Sequence, residues 1–204
     1  PVRALIAAHE LTRAGDEAMR AGQLDDAMRA YRAALASTAL ADPLPLVERI
    51  LALAVTRSAW HADADELARQ ATQRWPEAAA PHQALAAIAI ARGDAVVAGE
   101  HLRRASEASA AAGEVVAAAA AAAAAATWFA TGHAAPAAIA ALEAAHRFRP
   151  DVASVSQDLA TAYRDADRLP ELIALLSSRL AVELDRGAAA AIALDLAAVY
   201  GQRL

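Results

Sequence analysis

The sequence predicts an all-α chain, a right-handed superhelix of antiparallel helix pairs, that is, an α-solenoid. Three observations carry this. A signature of small and bulky side chains returns about every thirty-four to forty positions along nearly the whole chain. The apolar fraction of 58% is inflated by alanine while aromatics make up only 4%, so cohesion must come from many close helix contacts and few large side chains. Glycine and proline punctuate the periodic segments where helices would stop, and carboxylates gather where second helices would start, at Asp25, Asp26, Asp63, Asp65, Asp94 and Glu171.

The elements follow in order. The first pair, 2–42, runs from about Val2 to Ala21 and from Leu24 to about Leu40, is broken at Gly22 and closed by Asp42-Pro43, and carries Leu11, Gly15, Ala18, Ala27, Tyr31 and Ala34 as its signature. The second, 45–78, runs from about Leu46 to Ser58 and from Ala62 to Arg74, with Leu51, Ala52 and Val55 leading to Ala64, Ala68, Ala71 and the stop at Trp75-Pro76. The third, 79–113, spans Pro81 to Arg92 and Ala95 to Ala112, with Leu85, Ala86, Ala89, Ala98, Leu102 and Ala105, and Gly113 as a C-terminal cap. The fourth, 114–151, spans Glu114 to Ala130 and Ala135 to Arg147, with Ala125, Ala126, Phe129, Ala138, Leu142, Ala145 and Pro150. The fifth, 152–186, spans Val152 to Asp165 and Pro170 to Arg186, with Leu159, Ala160, Tyr163, Leu172 and Leu176. A final helix, 188–204, closes a single repeat domain covering 1–204.

Two antiparallel helices approach closely only where one offers a small residue to the other's bulky one. Gly15, Ala52, Ala86, Ala126 and Ala160 are the expected holes, and Tyr31, Leu102, Leu142 and Leu176 the knobs. Each pair must then stack on the next to bury its remaining apolar face, so one pair alone would not fold. These residues fit the pattern W-x2-L-G-x2-Y…A-x3-F with substitutions, and the chain resembles the tetratricopeptide repeat family. It departs from that pattern in its early tryptophan, replaced by residues such as Leu11 and His82, and in its closing proline, present as Pro76 and Pro150.

Absences narrow the chemistry. The chain contains no Cys, Lys or Asn, which removes disulfides, thiolate nucleophiles, Cys-ligated metals, a P-loop lysine and Schiff bases. The resemblance implies a peptide-binding role, but the family's clamp of Lys and Asn side chains for a C-terminal carboxylate cannot be built here. Such abundant Ala and Arg read as coding bias of a GC-rich, bacterial genome. The start at Pro1 reads as a piece of a longer protein, with the cytoplasm favoured and the periplasm open. A net charge of −5 argues against nucleic acid as a partner. The alanine run through Ala126 is shorter than a bilayer span and far less lipophilic than leucine, so no membrane insertion is expected. The six histidines include no pair at the four-residue spacing that chelates a metal, and no serine stands in a nucleophile-elbow context. Neither a cofactor nor enzymatic activity is expected.

First helices of such an array line its concave surface. Their exposed stripes offer His9, Arg13, Asp16 and Arg20; Arg49, Leu53 and Arg57; Gln83, Ala87 and Ile90; Thr127; and Gln157, Thr161 and Arg164. Arginines at one end, small residues in the middle and polar groups at the other suit a helix or extended segment bearing acidic groups. The expected function is therefore a non-enzymatic protein or peptide interaction scaffold. The alternatives are an accessory array that positions substrate for an enzyme lying outside this chain, and a self-assembling structural module. The apolar spread of Ile192, Leu194, Leu196, Val199 and Tyr200 around the final helix makes it the expected route to a homo-oligomer.

Overall fold

The structure, a computed structural model, describes residues 2–37 and 40–201. The described residues form α1 (Val2–Arg20), α2 (Leu24–Leu35), α3 (Leu44–Ala54), α4 (His61–Arg74), α5 (Ala79–Arg92), α6 (Ala95–Ala111), α7 (Val115–Thr131), α8 (Ala135–Phe148), α9 (Ala153–Asp165), α10 (Leu169–Val182) and α11 (Arg186–Gly201), with no strand among them. Each helix packs on the next in the chain, and α3 also reaches α5, so the chain is a helical solenoid. Residues 202–204 of the expected final helix lie outside the described residues, as do 38–39.

One turn is reused to reverse the chain. Gly22, Gly93 and Gly113 sit at φ of 73°, 80° and 80°. In each case the amide after the glycine donates back into the helix: Gln23 to the Ala18 carbonyl, Asp94 to Ala89 and Glu114 to Ser109, at 2.8–2.9 Å. His133 and Asp167 make the same turn without glycine, at φ of 57° and 56°, with Ala134 donating to Phe129 and Arg168 to Tyr163. Such C-terminal motifs satisfy carbonyls that the helix itself cannot. Proline ends α4 and α8 differently: Trp75 and Arg149, each before a proline, are forced out of the helical region, to φ −133° and −138°.

Three helix ends differ from the sequence expectation. α2 stops at Leu35 and not near Leu40. α3 stops at Ala54 and not at Ser58, because the Thr56 hydroxyl takes the Leu53 carbonyl at 2.7 Å and a 3-10 turn at Ser58–Trp60 follows. α10 stops at Val182 and not at Arg186; Glu183 is extended, and Asp185 Oδ1 accepts the Ala188 amide at 2.8 Å, opening α11 two residues early.

Packing follows the small-against-large rule at most expected places. Gly15 lies under the buried Tyr31 ring, Gly99 under Phe129, and Ala86, Ala126 and Ala160 are buried. Ala52 is the exception: it is exposed, while Leu53 is 2% exposed. α3 touches α2, α4 and α5 and buries Leu46, Val47, Ile50, Leu51, Leu53 and Ala54, which turns Arg49 and Ala52 outward. The expected register of that helix is thus corrected by one residue. Ala126→Leu or Ala160→Leu overpacks a seam and is expected to cost on the order of 1 to 3 kcal/mol in urea melts. Neutrality of both would show that these seams have room the structure does not contain.

Candidate interaction face

The fourteen stripe residues divide by what their side chains already do. His9, Arg13 and Arg20 are exposed on α1. Asp16 is half-buried: it accepts the Tyr31 hydroxyl at 2.7 Å and Arg49 Nη1 at 3.0–3.1 Å. Leu53, expected in the groove, belongs to the core beside Ile50 and Leu51, because α3 is enclosed by three helices. Arg57 lies beyond the end of α3, donates to Asp25 at 2.8 Å and rests over the Trp60 ring at 4.8 Å. Gln83 is exposed on α5, with Ala87 and Ile90 half-buried along it. Thr127, Gln157, Thr161 and Arg164 are exposed on α7 and α9. The two threonine hydroxyls donate to their own helices, at Ala123 and Gln157.

An internal charge ladder accounts for most of the arginines expected to line the concave face. Arg49–Asp16, Arg57–Asp25, Arg32–Asp63 and Arg164–Asp195 are separated in sequence by 33, 32, 31 and 31 residues. That is close to one repeat, so a basic residue in one pair meets an acid in a neighbouring pair. Exposed pairs contribute roughly 0.2 to 1 kcal/mol each, and their larger effect is to fix the angle between neighbours and cancel local charge. Of the four N-terminal arginines, Arg13 pairs at 3.5 Å with Glu17 on its own helix. Arg20 is left without an ion pair among the described residues. The periodicity was present in the sequence as Arg and Asp one repeat apart; residues read singly do not reveal it.

Two buried tyrosines tie helices together by the same means. The Tyr31 hydroxyl is pushed up to about 12 by burial and by its bond to Asp16. Tyr163 is likewise pushed up to about 12 by burial and by donating to Glu143 at 3.0 Å, where Arg168 also donates at 3.0 Å. Neither is poised to lose a proton near neutrality, so both act as hydrogen-bond donors. Among the described residues no group of three or more His, Asp or Glu side chains could hold a metal ion. None of their helices is long and apolar enough to cross a membrane.

No protein-family model matches the sequence, and no curated protein matches it. Solved structures do. MamA protein superimposes with a TM-score of 0.59 at 19% identity, over 88% of this chain and 97% of that one. TTC0263, a thermophilic tetratricopeptide repeat protein of Thermus thermophilus, gives 0.51 at 18% identity, over 95% and 99%. Yeast Tom70 gives 0.50 at 18% identity over 95% of this chain, which spans 40% of that protein's chain. The chain therefore has the fold of tetratricopeptide repeat proteins.

Proposed function

We propose that this chain is a non-enzymatic protein-interaction scaffold whose first helices receive a helix or extended segment of a partner. The observation that carries the reading is the contrast along those helices. Arg49, Arg57 and Arg164 are occupied by internal acids, whereas Gln83, Thr127, Gln157 and Thr161 are exposed and, among the described residues, make no side-chain hydrogen bond beyond their own helix. Small residues such as Ala87 between them allow close approach of another backbone. A partner's acidic groups would have to displace Asp16, Asp25 or Glu17 from their arginines, so Arg20 is the cation such groups could use directly. The fold supports the general role, since stacked helix pairs build an extended surface and few enclosed sites.

A photo-crosslinking side chain placed in turn at Thr127 and Gln157, and as control at Ala140 and Arg104 on second helices, tests the face. Adducts of defined mass are expected at the first two positions and not at the controls. The reverse pattern would move binding to the second helices.

A second reading concerns α11. Leu194 is 72% exposed and Tyr200 49%, while Ile192 and Val199 are buried. Of the five apolar residues spread around this helix, Val199 packs inward with Ile192, so Leu194 is the position to charge. If copies of the chain associate through this helix, Leu194→Glu shifts the mass seen in multi-angle scattering toward the monomer without changing helicity. A wild-type chain that stays monomeric at high concentration sinks the idea.

A further inference from the structure

One cleft gathers negative charge that no arginine among the described residues neutralises. Glu48 from α3, Glu77 from the connection ahead of α5 and Glu114 from the residue that opens α7 line a cavity of about 320 Å³, together with Gln83, Leu44 and Ser109. Among the described residues none of the three carboxylates has an arginine within ion-pair distance. Elsewhere the chain places arginines against its acids from one repeat to the next. Burial, then Asp42 and Glu114, hold Glu48 above the ordinary carboxylate range, which marks the crowding of like charge. Helix capping does not account for these groups: the starts of α5 and α7 have no side-chain cap bond, and the first turn of α3 contains no acid.

The independent observation is Ser109. It is 1% exposed, its hydroxyl has no hydrogen-bond partner, and it lines the same cleft. Buried hydroxyls are normally paired, because leaving one unmade forfeits its hydration with no return. A hydroxyl and the Gln83 carbonyl can accept hydrogen bonds, and the carboxylates supply charge. That combination matches a planar cation with several N–H groups better than a metal ion, for which the described residues offer no ligand cluster.

We propose that this cleft receives the guanidinium of an arginine carried by the partner protein's segment, anchored by Glu48, Glu77 and Glu114 and by hydrogen bonds to Ser109 and Gln83. The inference rests on the first-helix reading, since Gln83 belongs to both the cleft and that face. The partner is thereby basic at this point. This departs from the acidic partner that the N-terminal arginines suggested, for most of those arginines are already paired.

The test titrates the isotope-labelled 204-residue chain with the peptide acetyl-Ala-Ala-Arg-Ala-Ala-amide and with its lysine and citrulline counterparts at low salt. Saturable amide shifts centred on Gln83, Ser109 and Glu114 are expected with arginine, weaker ones with lysine and none with citrulline. Glu48→Gln combined with Glu114→Gln removes the saturation. Ser109→Ala weakens binding by roughly tenfold, the loss of a hydrogen bond to a charged group, yet raises the urea midpoint by deleting an unpaired hydroxyl. A merely structural serine would move both readouts the same way. Shifts scattered over the exposed carboxylates, or unchanged in the variants, overturn the proposal. If shifts fall on Thr127 and Gln157 but spare the cleft, the arginine assignment fails and the first-helix reading stands. If crosslinks at Thr127 and Gln157 fail while the cleft saturates, the converse holds.

Discussion

Gly15→Ala is expected to destabilise the chain by about 2 kcal/mol, the size of an overpacked core. Helix propensity alone predicts the opposite sign, since alanine in place of glycine inside a helix ordinarily gains roughly 0.5 to 1 kcal/mol. The reversal comes from one contact. A Cβ on residue 15 would stand 2.4 Å from Cε1 and 2.5 Å from Cδ1 of Tyr31. That ring cannot swing aside freely: it is 3% exposed, and its hydroxyl is fixed to Asp16, which also holds Arg49 of the next pair. Shortening the partner should therefore rescue the change. Tyr31→Leu alone loses the bond and much of the ring's burial, but Gly15→Ala added to it should cost far less than in the native chain, a coupling on the order of 1 to 2 kcal/mol. Gly22→Ala provides the contrast, for its Cβ meets nothing within 4 Å and only its φ of +73° resists the substitution. Urea melts of the native chain and these four variants decide it: a neutral or stabilising Gly15→Ala would mean that α1 and α2 do not approach as closely as the structure has them.

The same contact shows what could be read in the sequence. Gly15 and Tyr31 stand sixteen residues apart at the hole and knob of the repeat signature, so their meeting is a matter of period and needs no knowledge of the third dimension. Ala126 and Ala160 were legible for the same reason. α3 was not: with six of its eleven residues buried, an apolar pattern covering more than half the helix leaves the register undetermined by one position. Leu53 and Ala52 consequently exchanged roles. The interaction face was legible only as a list of polar residues. Whether Arg49 or Arg57 awaits a partner or already has one depends on an acid a whole repeat away, and that pairing requires the solenoid's twist to bring the two together. The acidic cleft lay further out of reach, since α3, α6 and the starts of α5 and α7 each contribute a part of it.

Acid is expected to weaken the fold well above the pH at which carboxylates titrate. His82 is 6% exposed, its Nδ1 has no partner, and it stacks on His101 with ring centroids 5.8 Å apart. Burial, then the neighbouring His101 and Arg104, lower its pKa to about 4 against the opposing pull of Glu100. His101 is lowered as well, by burial first and then by Arg104. The unfolded chain takes up a proton at the His82 ring near pH 6.5, while the folded chain resists until about pH 4. Between those limits the unfolded state binds more protons, so stability falls as pH falls. His82 alone accounts for about 3 kcal/mol across the window, with no further change from it above pH 6.5 or below pH 4. Glu100 acts in a different range: its bonds to Arg103 hold it down to about 2, so its contribution is lost only below its ordinary value of 4.5. Urea midpoints measured at pH 7, 5.5 and 4 should fall steeply in the native chain. His82→Phe keeps a ring against His101 but carries no proton, and its midpoints should fall much less. A native chain whose midpoint is flat from pH 7 to 4, or a variant that falls in parallel with it, would remove this histidine from the account of acid sensitivity and leave carboxylate pairing as the cause.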